Sequence, residues 1–114
     1  MILSFAWTTQ AFLGGRKTVT RRSWAPRTMA AWQRAWDEGR LEHDAADKVL
    51  FAGGKRIGKI RLTCRPYWER LADMPESDLE AEGGLWASLE DFIALQGGDP
   101  EKQVAVVRFE KLDD

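Results

Sequence analysis

The chain has 114 residues, a formal net charge of −1, one cysteine and one histidine. That length suits one domain, 1–114, and the near balance of charge excludes a bulk polycation seeking nucleic acid. A single cysteine excludes an internal disulfide, and one Cys with one His leaves no zinc-ligand spacing, so no metal and no cofactor is expected.

The solitary Cys64 points to a reducing, cytoplasmic setting. Residues 1–6 lack the length and basic flank of a signal peptide, and no apolar run approaches the ~20 residues that cross a bilayer. No membrane and no obligate protein partner is expected. Charge is unevenly spread: residues 16–27 carry only cations, and residues 73–91 only acids.

Taken in order, residues 2–6 read as a mostly buried strand, and 7–13 as a short helix ended by Gly14-Gly15. The run Thr18-Val19-Thr20 is β-branched, which predicts a strand over 17–23 displaying Lys17, Thr20, Arg21 and Arg22. Strict alternation puts Lys17 and Thr20 on opposite faces, so they converge only if Lys17 stays in the turn or the strand bulges. Pro26 breaks the strand. Thr28 can cap a helix to about Glu38, whose Met29, Trp32 and Trp36 share one face. That face is expected to cover the end of the core, with an aromatic lid over a base as the sharper reading. Residues 40–47 read as a charged loop, in which His43 is solvated.

A strand is predicted at 48–52, a hairpin at Gly53-Gly54, and a long strand at 56–64. In that strand Ile60, Leu62 and Cys64 alternate with Lys59, Arg61 and Thr63, which makes Cys64 a small core residue. Pro66-Tyr67-Trp68 reads as an edge segment or the rim of a site. Met74-Pro75 opens a helix that stops at Gly83-Gly84. Ser88 with Asp91 resembles a capping box and opens a helix to about Gln96. The last strand spans 103–111. Five strands with three to four short inserted helices make a small α+β domain.

The stretch Gly15-x-Lys17-x-x-Thr20-x-Arg22 resembles the signature of ASCH domains, with Thr20 where the general family has Glu. Lys17-Thr18-Val19-Thr20 is similar to the form in a subgroup of small N4-acetylcytidine amidohydrolases. The likeness continues at Asp78-Leu79-Glu80-Ala81-Glu82 and in the closing strand. It fades from about Ala25 to Lys48, a helical insertion that departs from the smallest members. The resemblance implies a PUA-like antiparallel or mixed β-barrel. It also implies a catalytic set of Thr20 as nucleophile, Lys17 as base and Glu82 as the later acid, acting on a modified nucleoside. Arg16, Arg21, Arg22, Trp24, Tyr67 and Trp68 are the candidate ligand-binding residues, with Trp86 a further stacking candidate. The same residues fit a non-catalytic module for single-stranded RNA, or a ribonuclease. Glu82, amid other acids, is expected to pair with Lys17 or an arginine of the basic stretch.

Overall fold

The computed structural model describes residues 1–48 and 53–112. It is an α+β fold built on a six-stranded mixed sheet. The strands are β1 (Ile2–Ser4), β2 (Val19–Arg22), β3 (Glu42–Ala46), β4 (Arg56–Leu62), β5 (Tyr67–Arg70) and β6 (Gln103–Leu112). The α-helices are α1 (Thr9–Leu13), α2 (Pro26–Asp37), α3 (Asp78–Ala81) and α4 (Leu89–Leu95), with 3-10 turns at Ala6–Thr8 and Leu71–Asp73. The backbone ladder runs β1-β3-β4-β6-β2, and β5 also pairs with β6. Among the described residues only β1 and β3 pair in parallel; the other pairings are antiparallel. No backbone pairing among the described residues joins β1 to β2, so the sheet is open.

β6 is the spine. Its first half is flanked by β2 (Val19↔Arg108 to Arg22↔Ala105) and β5 (Tyr67↔Val106 to Arg70↔Gln103). Its second half pairs with β4, Leu62 opposite Phe109. Side chains pack on both faces of this strand, and Val104 through Val107 are all buried. Alternation then splits the interior into two cores. Val107 and Phe109 join Leu3, Phe5, Phe12, Trp32 and Ile60. Val104, on the opposite face, joins Leu71, Met74 and Phe92. Phe5 stacks on Phe12 with ring centroids 4.6 Å apart, in the offset geometry that suits the ring quadrupoles.

Several local expectations are corrected. Residues 42–46 form a strand, not a loop, lying between β1 and β4. His43 is buried there, 6 % exposed, against Trp32 at 4.6 Å, with its ring nitrogens near Met1 N and Arg40 O. Loss of hydration, with the N-terminal charge, lowers its pKa. Helix α2 starts at Pro26, two residues before Thr28, because proline suits the first helical position and leaves no donor to satisfy. Met29, Trp32 and Ala35 of α2 are buried and Trp36 packs on the first core, so this face is core rather than lid. Positions 49–52 of the strand expected at 48–52 lie outside the described residues. Ser88 caps α4 as expected, its Oγ accepting from Asp91 N at 3.2 Å. No helix of the described residues is long and apolar enough to cross a membrane.

Candidate functional site

Two segments far apart in sequence build the site. The first is the turn into β2. Gly15 takes φ 75°, a left-handed conformation that only glycine adopts without strain. The amides of Arg16 and Lys17 both return to Ala11 O, at 2.9 and 3.2 Å. Lys17 therefore stays in the turn, before the strand begins at Val19. This is the condition under which it and Thr20 can share a side. The second segment is the end of α3. Thr18 N donates to Ala81 O at 2.8 Å, which ties that helix end to the turn. Gly83, at φ 133°, has only 3.2 Å between the position of an added Cβ and Thr8 Cγ2. A side chain there would press on Thr8 and shift the helix end, and Glu82 with it.

Between these segments lies a cavity of about 190 Å3, walled by Lys17, Thr20, Arg21, Arg22 and Glu82 on its polar side. Phe5, Trp7, Trp86, Phe92 and Leu95 supply the apolar side. It occupies the gap between the unpaired edges of β1 and β2. The Arg22 guanidinium spans that gap, donating from Nη2 to Ser4 O at 2.5 Å.

The polar groups are closely engaged. Lys17 Nζ donates to Glu82 O at 2.7 Å and to Glu82 Oε1 at 3.2 Å. Arg21 spreads its three nitrogens over three carboxylates: Nε to Glu69 at 2.9 Å, Nη1 to Glu82 Oε2 at 2.9 Å and Nη2 to Asp78 Oδ2 at 2.6 Å. Arg108 takes Asp78 from the other side, at 3.2 and 2.7 Å, and donates to Tyr67 Oη at 3.1 Å. The expected pairing of Glu82 is present twice, with Lys17 and with Arg21. Lys17, Arg21 and Arg108 thus pair with three carboxylates, while Arg22, in the same wall, bonds to Thr20 Oγ1 and Ser4 O instead of a carboxylate. Thr20 Oγ1 accepts from Arg22 Nε at 3.1 Å, which leaves its hydroxyl proton free to be donated. Lys17 and Thr20 are not hydrogen-bonded to each other.

Electrostatics sharpen the picture. Burial lowers the Lys17 pKa; the Glu82 charge and hydrogen bond pull it back up, and Arg22 and Arg21 push it further down. Lys17 is 2 % exposed, so burial dominates. Burial raises the Asp78 pKa, but the hydrogen bonds from Arg108 and Arg21 outweigh it and hold the carboxyl below the usual range.

Of the residues singled out from sequence, Lys17, Thr20, Arg21, Arg22 and Glu82 meet at the cavity, as does Trp86. The others lie elsewhere. Arg16 is exposed outside the cavity. Trp24 stacks on Trp32, centroids 5.2 Å apart. Trp24 and Trp68 line a separate shallow depression with Pro26 and Gln103. Tyr67 serves Arg108. Cys64 is half-buried, just past β4. Sequence reasoning missed Trp7, which reads locally as helix, and Glu69 and Arg108, whose roles depend on pairing across β6. The alternation of Tyr67 and Glu69 within a strand was the available signal for Glu69. No group of three or more His, Cys, Asp or Glu able to hold a metal occurs among the described residues.

No protein-family model matches the chain, and no curated protein matches it. The fold is similar to that of a solved structure, protein EF3133 from Enterococcus faecalis V583, described under family-model DUF984. The identity is 18 %, the TM-score 0.56, and the match covers 95 % of this chain and 68 % of that one. At that identity the likeness concerns the fold.

Proposed function

We propose that the cavity hydrolyses the amide of an N4-acylated cytidine nucleoside. The observation that carries this reading is the buried Lys17 ammonium, fixed on Glu82 in the wall of a cavity that Thr20 shares. A hydroxyl nucleophile needs a base at neutral pH, and a lysine with its pKa lowered by burial is suited to that task.

In the proposed reaction the neutral amine of Lys17 takes the Thr20 proton as Oγ1 attacks the acyl carbonyl. The Arg22 Nε beside Oγ1 offsets charge developing on oxygen. The carbon–nitrogen bond then breaks, and the cytosine amine leaves with the proton held by Lys17. Water cleaves the threonyl ester, releasing the acid and restoring the hydroxyl. Glu82 holds Lys17 in place throughout.

A nucleoside suits the cavity better than RNA does. The cavity is below the roughly 300–1,000 Å3 of ordinary drug-sized pockets. Lys17, Arg21 and Arg22 already donate to protein acceptors, so they offer phosphates little. A PUA-like architecture and a cytoplasmic setting belong to the same proposal. The side-chain bridge from Arg22 to β1 and the lone Cys64 are what support them.

The test is acetate release from N4-acetylcytidine by the wild type and Thr20→Val, which keeps β-branching and removes the hydroxyl. The proposal expects release by the wild type and its loss, by 100-fold or more (on the order of the ~10²–10⁴ supplied by positioned proton transfer), in the variant, with ligand affinity nearly intact. An active Thr20→Val variant ends the nucleophile assignment. An inactive wild type ends the hydrolase reading.

A further inference from the structure

We propose that Trp7 is the stacking plate of the cavity: its indole covers the flat ring of the ligand and sets a preference for aromatic heterocycles. The inference rests on the nucleoside reading of the cavity and deepens it.

Trp7 is 67 % exposed, the highest value among the large hydrophobic side chains of the described residues. Trp24, Trp36 and Trp86 are packed against the two cores, and Trp32 is buried in one. Trp7 alone of the tryptophans combines this exposure with a place in the cavity wall. It has no aromatic neighbour within ring contact among the described residues. An indole left bare at the lip of a cavity keeps its large face available for a ligand ring.

The position is also enforced. Ala6, immediately before Trp7, has φ 47°, and it is the only described non-glycine residue with positive φ. Such a conformation persists only where the surroundings over-determine it, and it concentrates at functional sites. Here the surroundings do so. Ala6 N donates to Asp47 O at 2.7 Å, Thr8 N and Thr8 Oγ1 both donate to Phe5 O, and Thr9 Oγ1 donates to Ala6 O at 2.6 Å. The turn that carries Trp7 is anchored on both sides of a strained residue.

Trp86, also in the cavity wall, is held edge-on to Phe92, centroids 4.8 Å apart at 77°. Trp7 and Trp86 provide apolar surface while Lys17, Thr20 and Glu82 provide the polar wall. That division matches a flat heterocycle bearing one reactive polar substituent.

The experiment is calorimetric titration of the full chain with cytidine, uridine and 5,6-dihydrouridine, none of which carries an acyl group to hydrolyse. Wild type, Trp7→Ala and Trp7→Phe are compared, with thermal melting of each. The proposal expects Trp7→Ala to weaken cytidine and uridine by roughly 5- to 150-fold. Trp7→Phe should restore most of that loss, and the wild type should prefer uridine over its saturated analogue. Equal affinity of wild type and Trp7→Ala for cytidine overturns the proposal and leaves the nucleoside reading standing. So does equal wild-type affinity for uridine and 5,6-dihydrouridine. If Trp7→Ala melts early, Trp7→Phe decides: native melting with most of the affinity kept supports the stacking role, and native melting without it overturns that role. A wild type that binds none of the three overturns both readings.

Discussion

Arg21 is the sharpest place to test the site's construction. Its side chain is 0 % exposed and reaches Glu69, Asp78 and Glu82. Arg21→Ala removes the shared partner of three carboxylates. Truncating one member of a buried ion pair typically costs ~3–5 kcal/mol, because the remaining charge is left uncompensated. The local arrangement moderates this. Asp78 retains Arg108 and Glu82 retains Lys17, while Glu69, 12 % exposed, can recruit water. The lower half of that range, about 3–4 kcal/mol, is therefore expected. Against a total of ~5–15 kcal/mol for a domain of this kind, it is a large fraction. With a shift of about 3–5 °C per kcal/mol at this length, Tm should fall by roughly 10–20 °C. Urea and thermal unfolding of Arg21→Ala beside Arg16→Ala measures it. The exposed Arg16 should change stability by less than ~0.5 kcal/mol. Arg21→Lys should recover only part of the loss, since an ammonium cannot address three carboxylates with a planar fork. An Arg21→Ala protein within about 1 kcal/mol of wild type would refute the view that this residue pins α3 to the sheet.

Glu82→Gln tests the electrostatics of Lys17. The Glu82 charge raises the Lys17 pKa against burial, so its removal must lower that pKa further. If the neutral amine is the base, activity rises with pH through the folded pKa of Lys17, and this limb moves to lower pH in the variant. A limb that stays put or moves up contradicts the assignment. The folded pKa of Lys17 lies below its unfolded value, so the unfolded chain binds more protons between the two. Its contribution to stability accordingly grows as pH rises across that window, which lies below about 10.4. Ala6 tests the strained turn. Ala6→Val should lower stability by ~1–3 kcal/mol, since a β-branched residue is poorly tolerated at positive φ. Ala6→Gly should stay within about 1 kcal/mol of wild type, because relief of strain and the added freedom of the unfolded chain oppose each other. Urea unfolding of the pair reads this out, and equal stability of Ala6→Val and wild type would show that the turn is unstrained.

Local signals carried much of the fold. The alternation in β4, the apolar run of β6 and the Ser88 cap needed no tertiary information. β3 was hidden because the residues it buries are His43, Ala45 and Ala46, none of which announces a core strand. Their burial comes from Trp32, β1 and β4, all distant in sequence. At the site, the cluster Lys17–Arg22 was visible as composition, and Glu82 through the motif resemblance. The partition of the arginines was not visible. Arg21 and Arg22 are neighbours with the same side chain, yet alternation sends one into the carboxylate cluster and the other toward Thr20 and Ser4. The four stacking candidates Trp24, Tyr67, Trp68 and Trp86 also looked alike, although only Trp86 among them reaches the cavity.

The shared use of β6 has a consequence for how the site comes into being. Residues 19–22 find their ladder partners only at 105–108, and β5 finds its own at 103–106. Closing so long a loop costs entropy before any contact repays it, which favours late, concerted assembly over stepwise growth. The segment bearing Lys17 and the segment bearing Asp78 and Glu82 are each tied, through Arg21, Arg108 and Glu69, to strands that β6 holds side by side. A nascent chain that has emerged only through α4 therefore has the residues of the cavity but no scaffold to gather them. The site should switch on with the docking of one strand, and exchange protection at β2 amides should appear and vanish together with that at β6.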